Sequence, residues 1–268
     1  MFAQSNKRIL YQQRMRQLTT LIRHEIRLLF ISPPVYIAAV TFLMLMGFIY
    51  WAILRGLSIE PQDLSANVQF FSLFWLPVFF LVPLLTMRSL AAEKNNATLE
   101  ALFSTPVPKI FIVLSKFFSA YFLYITLWSL TVFFPFLGDS LLANKLSEQS
   151  LMNFAELIGG LTFIAISGLL FISIGIFTSS LTRSQLVAAM LSFTLLFIFC
   201  IGAQQLEYAS YNYISTNSFF YDAIQHINVF RHLEDFSLGI LDTRPFIFYL
   251  SATWLFLSLT LSNIESKS

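Results

Sequence analysis

Apolar residues gather in six long stretches of this chain. They are roughly Val35–Leu54, Val68–Thr86, Phe111–Leu137, Phe154–Ser180, Leu186–Ala203 and Pro245–Leu261. A helix rises about 1.5 Å per residue, so about 20 apolar residues cross the hydrocarbon core of a bilayer. The pattern predicts an all-α polytopic membrane protein with six transmembrane helices. The third and fourth stretches are long enough to tilt or break. Pro77 and Pro83 lie inside the second, and each removes a backbone N–H, which predicts a kink.

The segment before the first span has a helical period instead. At 100° per residue, Arg16, Thr20, Arg23 and Arg27 share one face. Leu18, Leu21, Leu28 and Leu29 share the other. This predicts an amphipathic elbow helix over 7–31 lying along the membrane surface, stopped by Ser32-Pro33-Pro34. Glu25 falls in the middle of the apolar face. It reads as a partner for a basic residue on a neighbouring helix, or as an ionic latch.

Between the second and third spans the chain reads MRSLAAEKNNATLEALFSTPVPK, from Met87 to Lys109. On a continuous helix Ala92, Leu99, Leu102 and Phe103 would form one face, and Glu93, Ala97 and Glu100 another. Ser104-Thr105-Pro106 would stop it, because the residue before a proline resists the α region. The pattern predicts a short, two-faced docking helix over 88–105; a plain solvated loop is the alternative.

Charge orients the spans. Of the 16 Lys and Arg residues, only Arg55, Lys145, Arg231 and Arg244 fall on one side. The excess of Lys and Arg marks the cytoplasmic side. Both termini, Met87–Lys109 and the turn at Arg183 are therefore expected in the cytoplasm, and Gln204–Arg244 outside. That outer stretch is rich in aromatics. Asn217 or Ser218 is a candidate cap, Gly239 a candidate stop, and Arg231 has Glu234 and Asp235 at helical spacing. It predicts short re-entrant helices over 204–244 packed on the fifth and sixth spans; a disordered loop is the alternative.

Composition narrows the function. The chain is 57% hydrophobic and 11% charged, where a soluble domain has about 25% charged residues. A net charge of +2 gives no footprint for nucleic acid. The lone Cys200 lies in an apolar run and reads as an inert buried thiol. The first apolar run is too long for a signal-peptide core, so no cleaved leader is expected. No phosphate-cradling G-x-x-x-x-G-K motif is present, and the three histidines, His24, His226 and His232, lie outside the spans. Neither catalytic nor metal-binding residues are assigned. His226 and His232 with Glu234 and Asp235 are a weak metal set, since the histidines would point about 120° apart on a helix. Ionisable groups in the spans are confined to Lys116, Glu156 and Glu207 near their ends, which disfavours an ion-coupled pump. Gly160, Gly168 and Gly175 in the fourth span suit close helix packing.

The stretch TMRSLAAEKNNATLEALFSTPVPKIFIVLSKFFSAY resembles the region after the second span of type-2 ABC transporter permeases. There a Met-Arg leads to an acidic pair, a basic residue, Gly-Thr, a glutamate and a Pro-Val, with a lysine following in the third span. RHEIRLLFISPPVYI is similar to the elbow of the gliding-motility permease subunits (GldF-like), and HINVFRHLEDFSLGILDTRPFIFYLS to their closing signature. TSSLTRSQLVAA resembles the turn between the fourth and fifth spans. Two positions depart from the pattern. The acidic pair is Ala92-Glu93, and the usual glycine is Ala97, which should stiffen a helix by about 1 kcal/mol.

The resemblance implies a single permease domain over 1–268 in a bacterial inner membrane. It implies pairing with a second permease subunit, as homodimer or heterodimer, and two cytoplasmic ABC ATPase subunits docked beneath. ATP and Mg would sit on those partners, with no cofactor in this chain. Membrane lipids and a periplasmic accessory protein complete the expected partners. Arg88, Glu93, Lys94, Glu100, Phe103 and Pro106 would form the coupling segment, Arg23, Glu25 and Arg27 the elbow, and Phe230, Phe236, Asp242 and Arg244 an outer gate. The expected function is a transport subunit, in the direction of export. The rivals are a non-transporting complex that passes ATP-driven motion to a periplasmic or motility apparatus, and a membrane-embedded lipid-modifying enzyme.

Overall fold

The computed structural model describes residues 2–59, 65–99, 107–142, 154–213, 227–240 and 242–266. Among the described residues there are helices and turns but no strand. Six helical segments are long and apolar enough to cross a membrane, so this is an all-α multi-pass membrane protein.

The elbow helix α1 spans Phe2–Ile31 and stops at Ser32; α2, Pro33–Ile59, begins the first span directly. A proline fits at a helix start because its missing N–H would be unpaired there anyway. The second span is divided into α3 (Ala66–Ser72) and α4 (Trp75–Thr86). The break falls at Leu73-Phe74, one turn before Pro77. Proline gives the Leu73 carbonyl no donor four residues on, and Leu76 N–H takes that carbonyl in a tighter turn at 3.3 Å. Pro83, by contrast, lies within an unbroken α4.

After a five-residue helix α5 (Ala91–Asn95), the third span runs as α6 (Lys109–Thr131) and α7 (Phe133–Leu142). Its break at Val132 precedes Pro135 by the same logic. The fourth span, α8 (Phe154–Leu181), is continuous.

The fifth span differs most from expectation. It runs from α9 (Gln185–Phe197) through a π-helical turn at Ile198–Gly202 into α10 (Ala203–Tyr213). The sequence reading ended it at Ala203, where polar residues begin. Gln204, Gln205, Leu206 and Glu207 are good helix formers, so the helix continues past the apolar run. The outer segment then contributes α11 (Val229–Ser237), and α12 (Arg244–Glu265) is the sixth span.

The span formed by α8 is the axis of the fold. Of its most apolar stretch 72% is buried, against 33% for α2, 28% for the α9 span and 22% for α12. It packs on α12, α9, α11, α6 and α4. Small residues on α8 make this possible. A methyl on Gly168 would meet the Tyr124 ring at 2.3 Å, one on Gly160 the Phe71 ring at 2.4 Å, and one on Gly175 the Thr86 hydroxyl at 2.3 Å. Buried hydroxyls of the spans mostly satisfy themselves: Thr86, Ser115, Ser173 and Thr178 each donate to a carbonyl three or four residues back. Their polarity is thus spent inside their own helices. The lipid-facing helices α2, α9 and α12 carry the exposed bulk, including Met44, Trp51, Leu186, Ile247 and Trp254.

At Gly159 the obstacle to a side chain is backbone. An added methyl would sit 1.9 Å from the Phe236 carbonyl oxygen of α11, which cannot swing aside as a side chain would. Gly159→Ala is expected to cost about 1–3 kcal/mol through this clash, more than the roughly 1 kcal/mol of helix propensity that alanine brings. At Gly202 the nearest atom to an added methyl is 3.7 Å away, so Gly202→Ala is the control and should not destabilise. Thermal unfolding in detergent reads both. Equal melting temperatures for the two variants would contradict the packing of α11 on α8.

Candidate coupling junction

At the end of α4 the chain turns through Met87–Leu90. Met87 N–H donates to the Pro83 carbonyl at 2.8 Å, and Ser89 donates to the Thr86 carbonyl through N–H (3.0 Å) and hydroxyl (2.8 Å). Leu90 is fully buried, and α5 starts behind it. The first N–H groups of a helix need acceptors, and Leu90 has no side-chain oxygen to offer. Ser179 at the end of α8 supplies one in its place. Its Oγ accepts from Leu90 N–H and Ala91 N–H, both at 3.1 Å, and donates to the Met87 carbonyl at 3.2 Å. One donor and two lone pairs are all that a hydroxyl has. The cap therefore comes from 88 residues away, and no local motif signals it.

The helix is shorter than the sequence pattern implied. It ends at Asn95, and Ala97 has φ 57°, in the left-handed region. A Cβ there costs about 1–2 kcal/mol, which only glycine avoids. Ala97 therefore bends the segment rather than stiffening it. The helix that carries Glu93 stops before Ala97, so Glu93 and Ala97 do not share a continuous helical face. The expected positions Glu100, Phe103 and Pro106 lie outside the described residues. Asn95, Asn96, Ala97 and Thr98 form an exposed crest.

Glu93 turns inward. Its Oε1 receives the Lys116 ammonium of α6 at 2.5 Å, and Glu25 Oε1 of α1 receives the same ammonium at 2.8 Å. Lys116 is only 3% exposed. It lies seven residues into α6, about 10 Å along the helix. The structure thus answers the odd placement of Glu25: its partner is a basic residue on a neighbouring helix. Arg23 and Arg27 lie on the exposed face of α1. Leu28, assigned to the apolar face, is 49% exposed, and Ile22 and Ile26 join Leu18, Leu21 and Leu29 on the more buried side. Helix α1 lies on α6, and this contact selects that face.

Two further ties close the junction. Lys94 Nζ donates to the Ser180 carbonyl of α8, and Asn263 of α12 donates to the same carbonyl at 2.7 Å and to Ser180 Oγ at 3.0 Å. Arg88 donates to Ser32 Oγ at 2.7 Å, joining the α4–α5 turn to the α1–α2 joint. Helices α1, α4, α5, α6, α8 and α12 meet here. Arg88, Glu93, Lys94 and Glu25 are the expected site residues that meet here; Ser179, Ser180 and Asn263 join them with no signal in the local sequence. In the sequence Lys116 reads only as a span-end charge.

The opposite end is closed by α11. Asn228 caps it, its Oδ1 accepting from Phe230 N–H at 2.9 Å, while its amide donates to Glu207 of α10. The candidate caps Asn217 and Ser218 lie outside the described residues. Arg231 reaches Glu207 at 3.7 Å, not the acids three and four residues on. Gly239, at φ 82°, ends this segment as its sequence suggests. Helix α11 packs chiefly on α8 and α3, and it also touches the continuation of the fifth span, α10, and the sixth span, α12. The reason is the bare Gly159-Gly160 surface of α8, which lets its backbone approach. Phe230 stands edge-on to Phe74 at 6.1 Å, and Phe236 lies against Phe163 (6.1 Å) and Phe246 (5.7 Å). Besides this Phe236–Phe246 contact, the sixth span is touched through His232, whose Nδ1 is 3.3 Å from the Tyr249 hydroxyl. Asp242 caps α12 locally by accepting from Arg244 N–H at 3.1 Å, and its carboxylate is 3.9 Å from the Arg244 side chain. Pro245 consequently takes the second helical position rather than the first.

The sequence pattern of the family described as ABC-2 family transporter protein matches residues 39–264. No curated protein matches the chain.

Removing one partner of a buried ion pair costs about 3–5 kcal/mol, because the other charge is left unpaired. Lys116→Met should lose that much stability. Adding Glu25→Gln and Glu93→Gln to it should restore most of the loss, since no buried charge then remains. Denaturation of the purified single and triple variants in detergent measures the difference. If Lys116→Met unfolds like the wild type, the triad is not a buried anchor.

Proposed function

Because this chain belongs to the ABC-2 transporter family, we propose that it is the membrane-spanning permease subunit of an ATP-binding-cassette exporter, driven by two separate ATPase subunits. The observation that carries the reading is the junction around α5. A short segment between the second and third spans is tied by side chains to α6 and α8, and through Lys116 to Glu25 of α1. A push on its exposed crest, Asn95–Thr98, reaches the elbow helix and the third and fourth spans through short polar contacts rather than through a loose loop. That is what a protein without a phosphate-binding motif of its own needs if its work comes from a partner. The partner biases a two-state element, and the element passes the bias on.

In this reading the junction and both termini face the cytoplasm of a bacterial inner membrane, and α11 lies outside. The Lys and Arg distribution supports that orientation. ATP and Mg act on the ATPase subunits. A second permease subunit, identical or related, completes the complex, and the exposed apolar faces of α2 and α9 are available to it. Phe230, Phe236, Asp242 and Arg244 would then lie near the exit, with Arg88, Glu93 and Lys94 at the point where force enters. A force-transmitting rather than transporting complex is the second reading. What favours it is the likeness of the elbow and closing segments to gliding-motility permease subunits.

The test is purification of the chain from its native membrane, followed by mass spectrometry of what accompanies it. An ABC ATPase should co-purify. Asn96→Trp, which adds bulk on the crest without touching the triad, should lower its recovery about tenfold or more, the loss expected when a well-packed contact is blocked. In a Cys200→Ser background, Asn96→Cys should resist an impermeant thiol reagent in intact cells and react in opened ones. Undiminished ATPase recovery with Asn96→Trp, or labelling of Asn96→Cys from outside, would contradict the reading.

A further inference from the structure

Beside the triad a cleft of about 410 Å³ opens between α1, the start of α2, the end of α4 and the start of α6. Its polar lining is of mixed sign. Glu25, Glu93 and Lys116 together carry one net negative charge, and Arg88 carries a positive one. Glu93 Oε2 is buried without a hydrogen-bond partner among the described residues, whereas Oε1 holds Lys116. The Arg88 side chain is exposed and gives one N–H to Ser32, of the five that a guanidinium offers. Val35 and Leu84 add apolar lining. Leu28 and Ile31, also on the lining, are 49% and 66% exposed, toward the surface where lipid would lie.

We propose that this cleft binds one phospholipid whose headgroup joins a phosphate to a primary ammonium. The phosphate takes the free donors of Arg88, a planar fork that matches two phosphate oxygens. The ammonium takes the unpartnered oxygen of Glu93, which the soft terminal torsion of a glutamate turns toward the cleft. The acyl chains leave past Leu28 and Ile31. The chemistry discriminates. A quaternary ammonium has no N–H to give to Glu93, and an anionic headgroup without an amine would face the net negative triad with nothing to satisfy it. Such a lipid would sit against α1, α4 and α6 at once, so its headgroup would bear on the same joint that holds α5. The proposal rests on the chain being a membrane protein and stands apart from the transport reading.

Native mass spectrometry of the purified protein with added phosphatidylethanolamine, phosphatidylcholine or phosphatidylglycerol tests it. Phosphatidylethanolamine should be retained about tenfold more strongly than either of the others, the equivalent of one charge-assisted hydrogen bond. Arg88→Ala should lower its retention about tenfold. Ala92→Phe, which fills the cleft from α5, should abolish the preference; both variants leave the triad in place. Equal retention of the three lipids, stronger retention of phosphatidylglycerol, or unchanged retention of phosphatidylethanolamine in both variants would overturn the proposal.

Discussion

One ammonium group holds three helices that the sequence keeps apart. Lys116 on α6 is buried and bound by Glu25 on α1, 91 residues away, and by Glu93 on α5, 23 residues away. An unpaired lysine at this depth in a membrane span costs several kcal/mol, so α6 seats in this position only when the acids are present. The acids have the same need. Each carboxylate would otherwise be half-buried beside apolar residues of its own helix. The demand is mutual and directional, which apolar packing is not. It fixes the rotation of α1 about its axis and turns α5 toward the spans rather than toward water.

The second constraint is the absence of side chains along α8. Gly159, Gly160, Gly168 and Gly175 let α11, α3, α6 and α4 approach its backbone. The helix has no break along its length, and its two ends carry unlike polar contacts. Ser179 and Ser180 at one end hold α5 and α12; Glu156 at the other accepts from Ser65, the N-cap of α3, at 2.5 Å. A displacement of α5 therefore bears on a stiff rod whose far end sets the seat of α11. The irregular places lie elsewhere: the breaks before Pro77 and Pro135, and the π-helical turn at Ile198–Gly202.

What could be read from the sequence was local. Six apolar runs, the Ser32-Pro33-Pro34 joint, the elbow amphipathicity and the stop at Gly239 each follow from periodicity or from a residue's own backbone preference. Glu25 announced itself because a charge on an apolar face needs a partner, though not which partner. The illegible features were those decided by distant residues. Nothing near Leu90 indicates that Ser179 will cap it. Arg231 had two acids at good local spacing, yet Glu207 on another helix takes it. The periodicity of 88–105 suggested a continuous helix, and a single left-handed residue, Ala97, breaks that register. The clue lay in the resemblance, which has a glycine at this place. Its value there is a positive φ, not flexibility.

In the proposed reading, α1, α5 and the start of α6 move as one body when a partner ATPase turns over ATP. Paired spin labels in a Cys200→Ser background test it most directly, with Arg27→Cys and Asn95→Cys spanning α1 and α5, and Asn95→Cys with Leu238→Cys spanning the two ends. All three positions are exposed and outside the triad. In the complex with its ATPase, trapping the nucleotide-bound state should leave the 27–95 distance unchanged while the 95–238 distance shifts. A change in the 27–95 distance would mean that α1 and α5 move separately and that the buried lysine does not join α5 to the elbow.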